Sequence, residues 1–385
     1  MIFKGFRRPD GKVGIRNYVL LLPTSICSTQ VATEIASKIK GCTSVSNSYG
    51  CCQVGNDART TFKTLVNTGK NPNIGAVIVV ALGCEGIEAT KLLEALSTTG
   101  KPIASINIQE LGGTIKATAR GCEIARDYSQ QLSLIEREEC NLSELILGME
   151  CGGSDTTSGL AANPVVGITS DLLVNAGGTS ILSETTEMIG AEHILAKRCV
   201  NSTVKNRLLA IVQDCEERAK EQGQDIRGSQ PTPGNIEGGL TTIEEKSLGC
   251  LHKAGNSAIQ GVLEYGEIPD STGLFVMDTP GQDIVSITGM VAGGAQLCVF
   301  TTGRGTPTGN PLAPIIKITA NKKTYEKMSD NIDLDVSDVI GGKRSISEAG
   351  QYLFAEIIRV ANGKTTKAEE LGHNEFSIYK TGFTF

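Results

Sequence analysis

An α/β architecture built on parallel sheets follows from three observations: short apolar runs rich in Val, Ile and Leu, helix-length stretches between them, and brief connections. The first run, 18–22, closes at Pro23 and is followed by a helical stretch over 29–40. Residues 43–47 form a second strand candidate, with a helix over 59–67 behind it. The strongest strand signal is 74–82, with a helix over 87–96; a further strand at 102–108 precedes a long helix over 115–135. Strictly alternating elements of this kind predict a parallel sheet covered on both faces.

The charged stretch 135–144 marks the expected boundary between an α/β module over 1–140 and a larger C-terminal α/β domain over 141–385. The second unit opens with a strand at 145–149. A helix is expected at 171–176, a strand at 179–182 and a helix at 204–220. The Gly/Pro-rich segment 222–239 reads as a solvated loop. Strands at 273–277 and 296–300 flank a helix of small residues, and a helix over 347–360 precedes the tail. The first module is Rossmann-like in its alternation; the second carries Gly-rich loops.

Composition narrows the function. The 385 residues are 39% hydrophobic and 20% charged, ordinary for a soluble core. Glycine is in excess, at 45 residues, which without a G-X-Y period indicates tight turns and loops that approach a ligand closely. Net charge is −6, Trp is absent and aromatics make up 4%, so neither a polyanion-binding surface nor a base-stacking platform is expected, and no nucleic-acid partner. The longest apolar run falls far short of a bilayer span, and the N-terminus lacks a signal-peptide core; a cytoplasmic protein with no membrane partner is expected. In that compartment the twelve cysteines are not a disulfide framework.

Three dense polar loops look like the walls of a site for a small, oxygen-rich substrate: Glu150-Cys-Gly-Gly-Ser-Asp155, the 238–246 segment ending at Lys246, and Phe300-Thr-Thr-Gly-Arg-Gly-Thr306. Arg304 offers a planar fork for a carboxylate. Lys246 stands near a helix start opened by a Thr241/Glu244 capping box, against the helix dipole. Glu184 follows a strand and His193 a glycine turn, so either could move protons; the alternative is that the segment merely caps a helix. Asp278 and Asp283 read as helix caps or metal-site carboxylates. Cys27, Cys51 and Cys84 each lie just past a strand end, where a parallel sheet would bring them to one edge. Three such thiolates suit an iron or iron–sulfur centre, the alternative being small buried residues in tight turns. Cys151 is open between ligand, nucleophile and packing residue. Cys52, beside Cys51, has no evident role. No phosphate-loop or dinucleotide motif occurs.

The stretch Arg8–Asn17, Tyr49-Gly-Cys51, Leu82-Gly-Cys-Glu85, Glu150–Asp155, Glu192-His193, Pro233-Gly-Asn235, the 238–246 loop and Thr301–Gly305 together resemble the altronate/galactarate dehydratase family, nearly end to end. The resemblance implies a hydro-lyase that converts a sugar acid to a 2-keto-3-deoxy acid with a divalent metal, typically iron. It implies catalytic roles for Glu184, His193 and Lys246, substrate contacts at Asp155, Asn163, Thr302 and Arg304, and metal ligands at Cys27, Cys51 and Cys84. Family members begin with a small extra domain, which implies a separate small subunit here; a homo-oligomer is also expected. A related branch, the sulfolactate sulfo-lyase large subunit, shares the C-terminal motifs but expels sulfite; the three cysteines favour the sugar-acid side. A non-catalytic sugar-acid-binding subunit is the third reading.

Overall fold

The computed structural model describes residues 2–385. Among these residues, fourteen strands form three sheets. Strands β1 (Ile2–Arg7), β2 (Val13–Gly14) and a later strand make a small antiparallel sheet. The N-terminal parallel sheet contains β3 (Tyr18–Pro23), β4 (Cys42–Ser44), β5 (Ile74–Ala81) and β6 (Ile103–Asn107), in the order β4-β3-β5-β6. Strand β5 is buried along its whole length, as expected for a central strand covered on both faces. Helices Ile26–Lys38, Gly55–Lys70 and Ala89–Ser97 make the crossovers, and helix Thr114–Ser133 follows β6.

Strand β7 (Glu138–Asn141) pairs antiparallel with β1, Phe3 opposite Cys140, and so completes the small sheet in the order β2-β1-β7. The charged stretch expected to mark the boundary thus contains a strand; its one buried side chain, Cys140, gives no alternation long enough to read. Beyond it stand β8 (Ile146–Gly152), β9 (Thr179–Leu182), β10 (Ile259–Leu263), β11 (Gly273–Met277), β12 (Leu297–Thr302), β13 (Ile315–Thr319) and β14 (Leu334–Asp335). They form one parallel seven-stranded sheet, β10-β11-β9-β8-β12-β13-β14. The chain steps from β8 to β9 on one side and later returns to β12 on the other, so the order reverses at β8. Crevices at such switch points, outside the carboxyl ends of the strands, are where open α/β sheets bind ligands.

The two parallel sheets share an apolar layer. Helix Gly55–Lys70 packs on helix Asp283–Ala292, and Leu65, Val77, Ile287, Met290 and Phe300 belong to one buried cluster. The C-terminal tail returns to the first module, where Asp57 accepts hydrogen bonds from Thr381 N (3.0 Å), Thr381 Oγ1 (3.1 Å) and Gly382 N (2.7 Å). The Arg8–Asn17 segment is a buried staple: Arg8 donates to Pro72 O, Arg16 O and Asn17 Oδ1, each at 2.7 Å, and Arg16 pairs with Glu369 at 2.6 Å. Among the described residues no helix is long and apolar enough to cross a membrane.

Candidate active site

Four adjacent strands, β11, β9, β8 and β12, end at the site. Strand β8 delivers Glu150 and Cys151. The segment after β9 delivers Ser183 and Glu184 and then a tight turn, Thr185–Met188, carrying Glu187. Helix Asp283–Ala292 begins with Asp283, and helix Ile243–Leu251 brings Lys246 and Cys250, with Lys253 in the turn that follows. Glu150, Glu184, Glu187 and Lys253 are all at most 5% exposed, so this is a charged cluster inside the protein.

Its members divide by charge. Glu150 Oε2 accepts from Ser183 Oγ (2.9 Å) and Ser286 Oγ (2.6 Å), while its buried Oε1 has no donor. Glu184 adopts a left-handed backbone (φ +65°), uncommon outside glycine, and is held there by Glu184 N donating to Thr279 Oγ1 (2.7 Å) and Cys151 N donating to Glu184 Oε2 (3.2 Å). Glu150, Glu184 and Asp283 each bring a carboxyl oxygen within 4.8 Å of the others. Three carboxylates this close cannot all ionise. Burial pushes Glu150 up to about 8. Burial, with repulsion from Glu150 and Glu187, pushes Glu184 well above the usual carboxylate range, and Asp283 rises for similar reasons. A proton therefore resides on the Glu150–Glu184 pair at neutrality.

Glu187 behaves oppositely. Burial would raise it too, but the Lys253 and Lys246 ammonium groups and the hydrogen bonds from Cys151 and Lys253 prevail and hold it at about 2. Lys253 Nζ lies 2.8 Å from Glu187 Oε2 and 3.6 Å from Glu184 Oε2. Burial disfavours its charge, yet the acidic groups around it, with ionised Glu187 in direct contact, raise it well above the usual lysine range. Cys151 Sγ lies 2.9 and 3.0 Å from the Glu187 oxygens and 3.6 Å from Cys250 Sγ. Burial, then Cys250, drives the Cys151 thiol far up, so it donates to Glu187 as a neutral thiol. Cys151, Glu187 and Cys250 also bring one donor atom each within 4.8 Å of one another, with Lys253 in contact with Glu187.

The expected site residues are distributed unevenly. Glu184 lies at the centre. Lys246 is half-buried and lines a cavity of about 200 Å³ with Ser154, Asp155 and Cys250; burial disfavours its charge, but the acidic groups around it, Glu187 first among them, together raise it above the usual lysine value and keep it charged. Its helix is capped one residue later than expected, by Thr242 accepting from Glu245 N. His193 is exposed on the short helix Glu192–Ala196, outside the buried cluster. Asp155 is committed to scaffolding: Oδ1 accepts from Ser158 N (2.9 Å) and Thr157 Oγ1 (2.7 Å), and Oδ2 from Asn321 Nδ2 (2.8 Å). Asn163 bridges Thr301 Oγ1 (2.7 Å) and Gly249 O (3.0 Å), and Thr302 Oγ1 accepts from Gly305 N (2.9 Å). Arg304 is half-exposed and pairs with Glu237 at 2.9 Å. Gly303 has a packing reason, since a Cβ there would meet Asp155 Cγ at 2.2 Å. The sequence places Glu187 in a segment that either crowds a pocket with carboxylates or caps a helix, reads Cys250 as a packing residue and gives no sign of Lys253; the Glu187 signal is its spacing of three from Glu184, which puts both carboxylates on one side of a tight turn.

Cys27, Cys51 and Cys84 occupy the carboxyl edge of the N-terminal sheet, after β3, β4 and β5, and all three are exposed. Their loops are tied together: Ile26 N donates to Tyr49 O (3.0 Å) and Ile87 N to Gly50 O (3.1 Å). Gly50 (φ +92°) makes this possible, because a Cβ there would stand 1.9 Å from Thr24 O. The alternative of buried packing residues is therefore a correction for these three. Their thiols are not among the donor groups that lie within 4.8 Å of one another, so no single-ion site is preformed; thiolates on different irons of a cluster stand farther apart.

The model of the D-galactarate/altronate dehydratase C-terminal domain matches residues 142–384, and that of the D-galactarate dehydratase/altronate hydrolase second domain matches residues 5–133. The chain belongs to the D-galactarate/altronate dehydratase family. It is 42% identical to the (2R)-sulfolactate sulfo-lyase subunit beta of Chromohalobacter salexigens, over 98% of this chain and 96% of that one. It is 34% identical to the altronate dehydratase of Bacillus subtilis (99% of this chain, 78% of the relative). With the L-threo-forming galactarate dehydratase of Escherichia coli the identity is 36% (98% and 76%). These relatives of the galactarate/altronate dehydratase family are lyases.

Proposed function

We propose that this chain is a hydro-lyase that removes water from a sugar acid, giving a 2-keto-3-deoxy acid. The observation that carries this reading is the buried carboxyl pair Glu150–Glu184, which holds a proton at neutral pH beside an ionised Glu187. Elimination next to a carboxylate needs a base for the α-proton and, when hydroxide leaves, an acid for the β-oxygen. Lys246, charged at its cavity, binds the substrate carboxylate and stabilises the charge that develops there as the α-proton departs. Glu187 is the ionised group placed to accept that proton, with Lys253 fixing its position. Glu184 is the proton donor to the departing hydroxyl, and Glu150 shares its proton. Collapse of the enol to the ketone completes the reaction.

Cys27, Cys51 and Cys84 would hold an iron or iron–sulfur centre, which when bound would supply Lewis acidity toward substrate oxygens. Lys380 supports a connection between the two regions: it lines the cavity beside Cys51 and Cys52 and also a cavity of about 510 Å³ bounded by Thr185, Asp278 and Thr279, next to Glu184. A separate partner subunit is part of the proposal, because one relative is named as a beta subunit.

Sulfolactate sulfo-lyase is the second reading, favoured by the 42% identity over nearly the whole length of that relative. Sulfite is a far weaker base than hydroxide and leaves without a proton, so it makes no use of the Glu150–Glu184 pair. The deciding experiment is anaerobic purification of the tagged chain from its own host, keeping any bound subunit, followed by assays with altronate, galactarate and 3-sulfolactate. A 2-keto-3-deoxy acid supports the hydro-lyase. Sulfite release establishes the second reading, and no turnover by the intact assembly overturns both.

A further inference from the structure

Cys52 has no part in the chemistry above, yet its surroundings are specific. Its Sγ stands 3.7 Å from Cys51 Sγ, and both side chains are exposed. The Cys52 backbone is in the left-handed region (φ +56°), one of two such non-glycine positions among the described residues; the other is Glu184. The chain end holds it in place, with Phe385 N donating to Cys52 O (3.2 Å) and Thr384 bridging Gln53. Both thiols line a surface cavity of about 280 Å³ with Lys380 and Phe385, so a small oxidant reaches them.

We infer that Cys51 and Cys52 form a reversible vicinal disulfide when the protein meets a hydroperoxide, making this pair a redox modification site. The thiolate of one cysteine attacks the peroxide; an S–O bond forms, the O–O bond breaks and water or an alcohol leaves. The neighbouring thiolate then attacks the sulfenic sulfur, forming the S–S bond and expelling hydroxide, which takes up a proton. In sum, two thiols and one hydrogen peroxide give one disulfide and two waters, and a dithiol reductant reverses the change. Adjacent Cα atoms lie about 3.8 Å apart, below the usual span bridged by a disulfide, so the bond is strained and easily reduced. Such a bond protects the thiols from irreversible oxidation. It also withdraws Cys51 from the group it forms with Cys27 and Cys84; that consequence alone rests on the metal-site reading.

The test uses the full chain, reduced and stripped of metal with a chelator. It is treated with one equivalent of hydrogen peroxide, alkylated, digested and analysed by mass spectrometry. The expected result is a Cys51–Cys52 peptide that has lost two hydrogens and takes up no alkylating agent, with both thiols restored by dithiothreitol. In Cys52→Ser the same treatment gives a sulfenic acid at Cys51 that reacts with dimedone. Sulfenic or sulfinic acid at Cys51 in the unmodified chain, disulfides from Cys51 to Cys27 or Cys84, or no reaction would each overturn the inference. Iron content of the anaerobic protein, measured before and after peroxide, tests the consequence separately: a disulfide that forms without displacing iron removes the link to the metal, not the modification.

Discussion

Replacing Lys253 with methionine removes the ammonium 2.8 Å from Glu187 while keeping most of the side-chain volume. Glu187 then has no cation in direct contact, in a site only 5% exposed. Moving a carboxylic acid from 4.5 to about 2 corresponds to about 3 kcal/mol in favour of its charged form. That figure agrees with the roughly 3–5 kcal/mol lost when one partner of a buried pair is removed. We therefore expect Lys253→Met to lower the free energy of unfolding at pH 7 by about 3 kcal/mol, measured by chemical denaturation. Because the folded-state value lies below the unfolded one, the pair stabilises the fold fully above about pH 4.5 and loses its effect as pH falls toward about 2. The gap between the two proteins should accordingly narrow below about pH 4.5. The double variant Glu187→Gln/Lys253→Met leaves no orphaned charge and should recover more than half of the loss. Equal stability of Lys253→Met and the parent at pH 7, or a double variant weaker than the single one, would refute the buried pair.

Glu150→Gln should act in the opposite direction with pH. The folded protein holds a proton on Glu150 up to about pH 8 that the unfolded chain releases near 4.5, so the parent loses stability across that interval and the variant should not; denaturation curves at pH 5, 7 and 8.5 distinguish them. Lys246→Met should lower kcat/KM by about 10- to 100-fold, the equivalent of one charge-assisted hydrogen bond, without unfolding the protein by circular dichroism. His193→Gln, exposed and outside the cluster, should leave kcat/KM within about twofold of the parent; a larger loss would return it to the active site. Anaerobically purified protein should contain iron with acid-labile sulfide, both lost in Cys84→Ser. Iron without sulfide, and insensitive to Cys84→Ser, would remove the thiols from the metal site.

The parallel sheets were legible because buried central strands write their signal into consecutive residues: 74–82 and 273–277 were expected and lie at β5 and β11. What escaped had a physical reason. Strands β1, β2 and β7 are short and peripheral, and β7 carries two exposed glutamates, so its stretch read only as a charged boundary. Helix Asn163–Asn175 begins eight residues before its expected start, because a π-helical turn, Ser158–Ala162, feeds it from a stretch of mostly small residues that lacks helical periodicity. The 222–239 segment holds two short helices, and Asn235 is buried there, donating to Ser154 O at 2.9 Å.

The site divides along a different line. Glu184 and Lys246 could be singled out because they lie next to glycines and strand ends, a local property. Glu187, Lys253 and Cys250 owe their importance to one another, across 66 residues for the ion pair and 99 for the thiols. No short-range pattern encodes such a partnership, and an isolated Lys253 just past a helix end reads as a solvated C-terminal cation. Asp155, Asn163 and Thr302 illustrate the converse. They are polar and stand in or beside Gly-rich stretches that look like ligand walls, yet their hydrogen bonds are spent within the protein: Asn163 ties β12 to helix Ile243–Leu251, and Asp155 and Thr302 close local turns. A polar loop at a switch point thus serves either to touch a ligand or to fix the groups that do. The deciding quantity is the number of donors and acceptors left free, which exists only once the chain is folded.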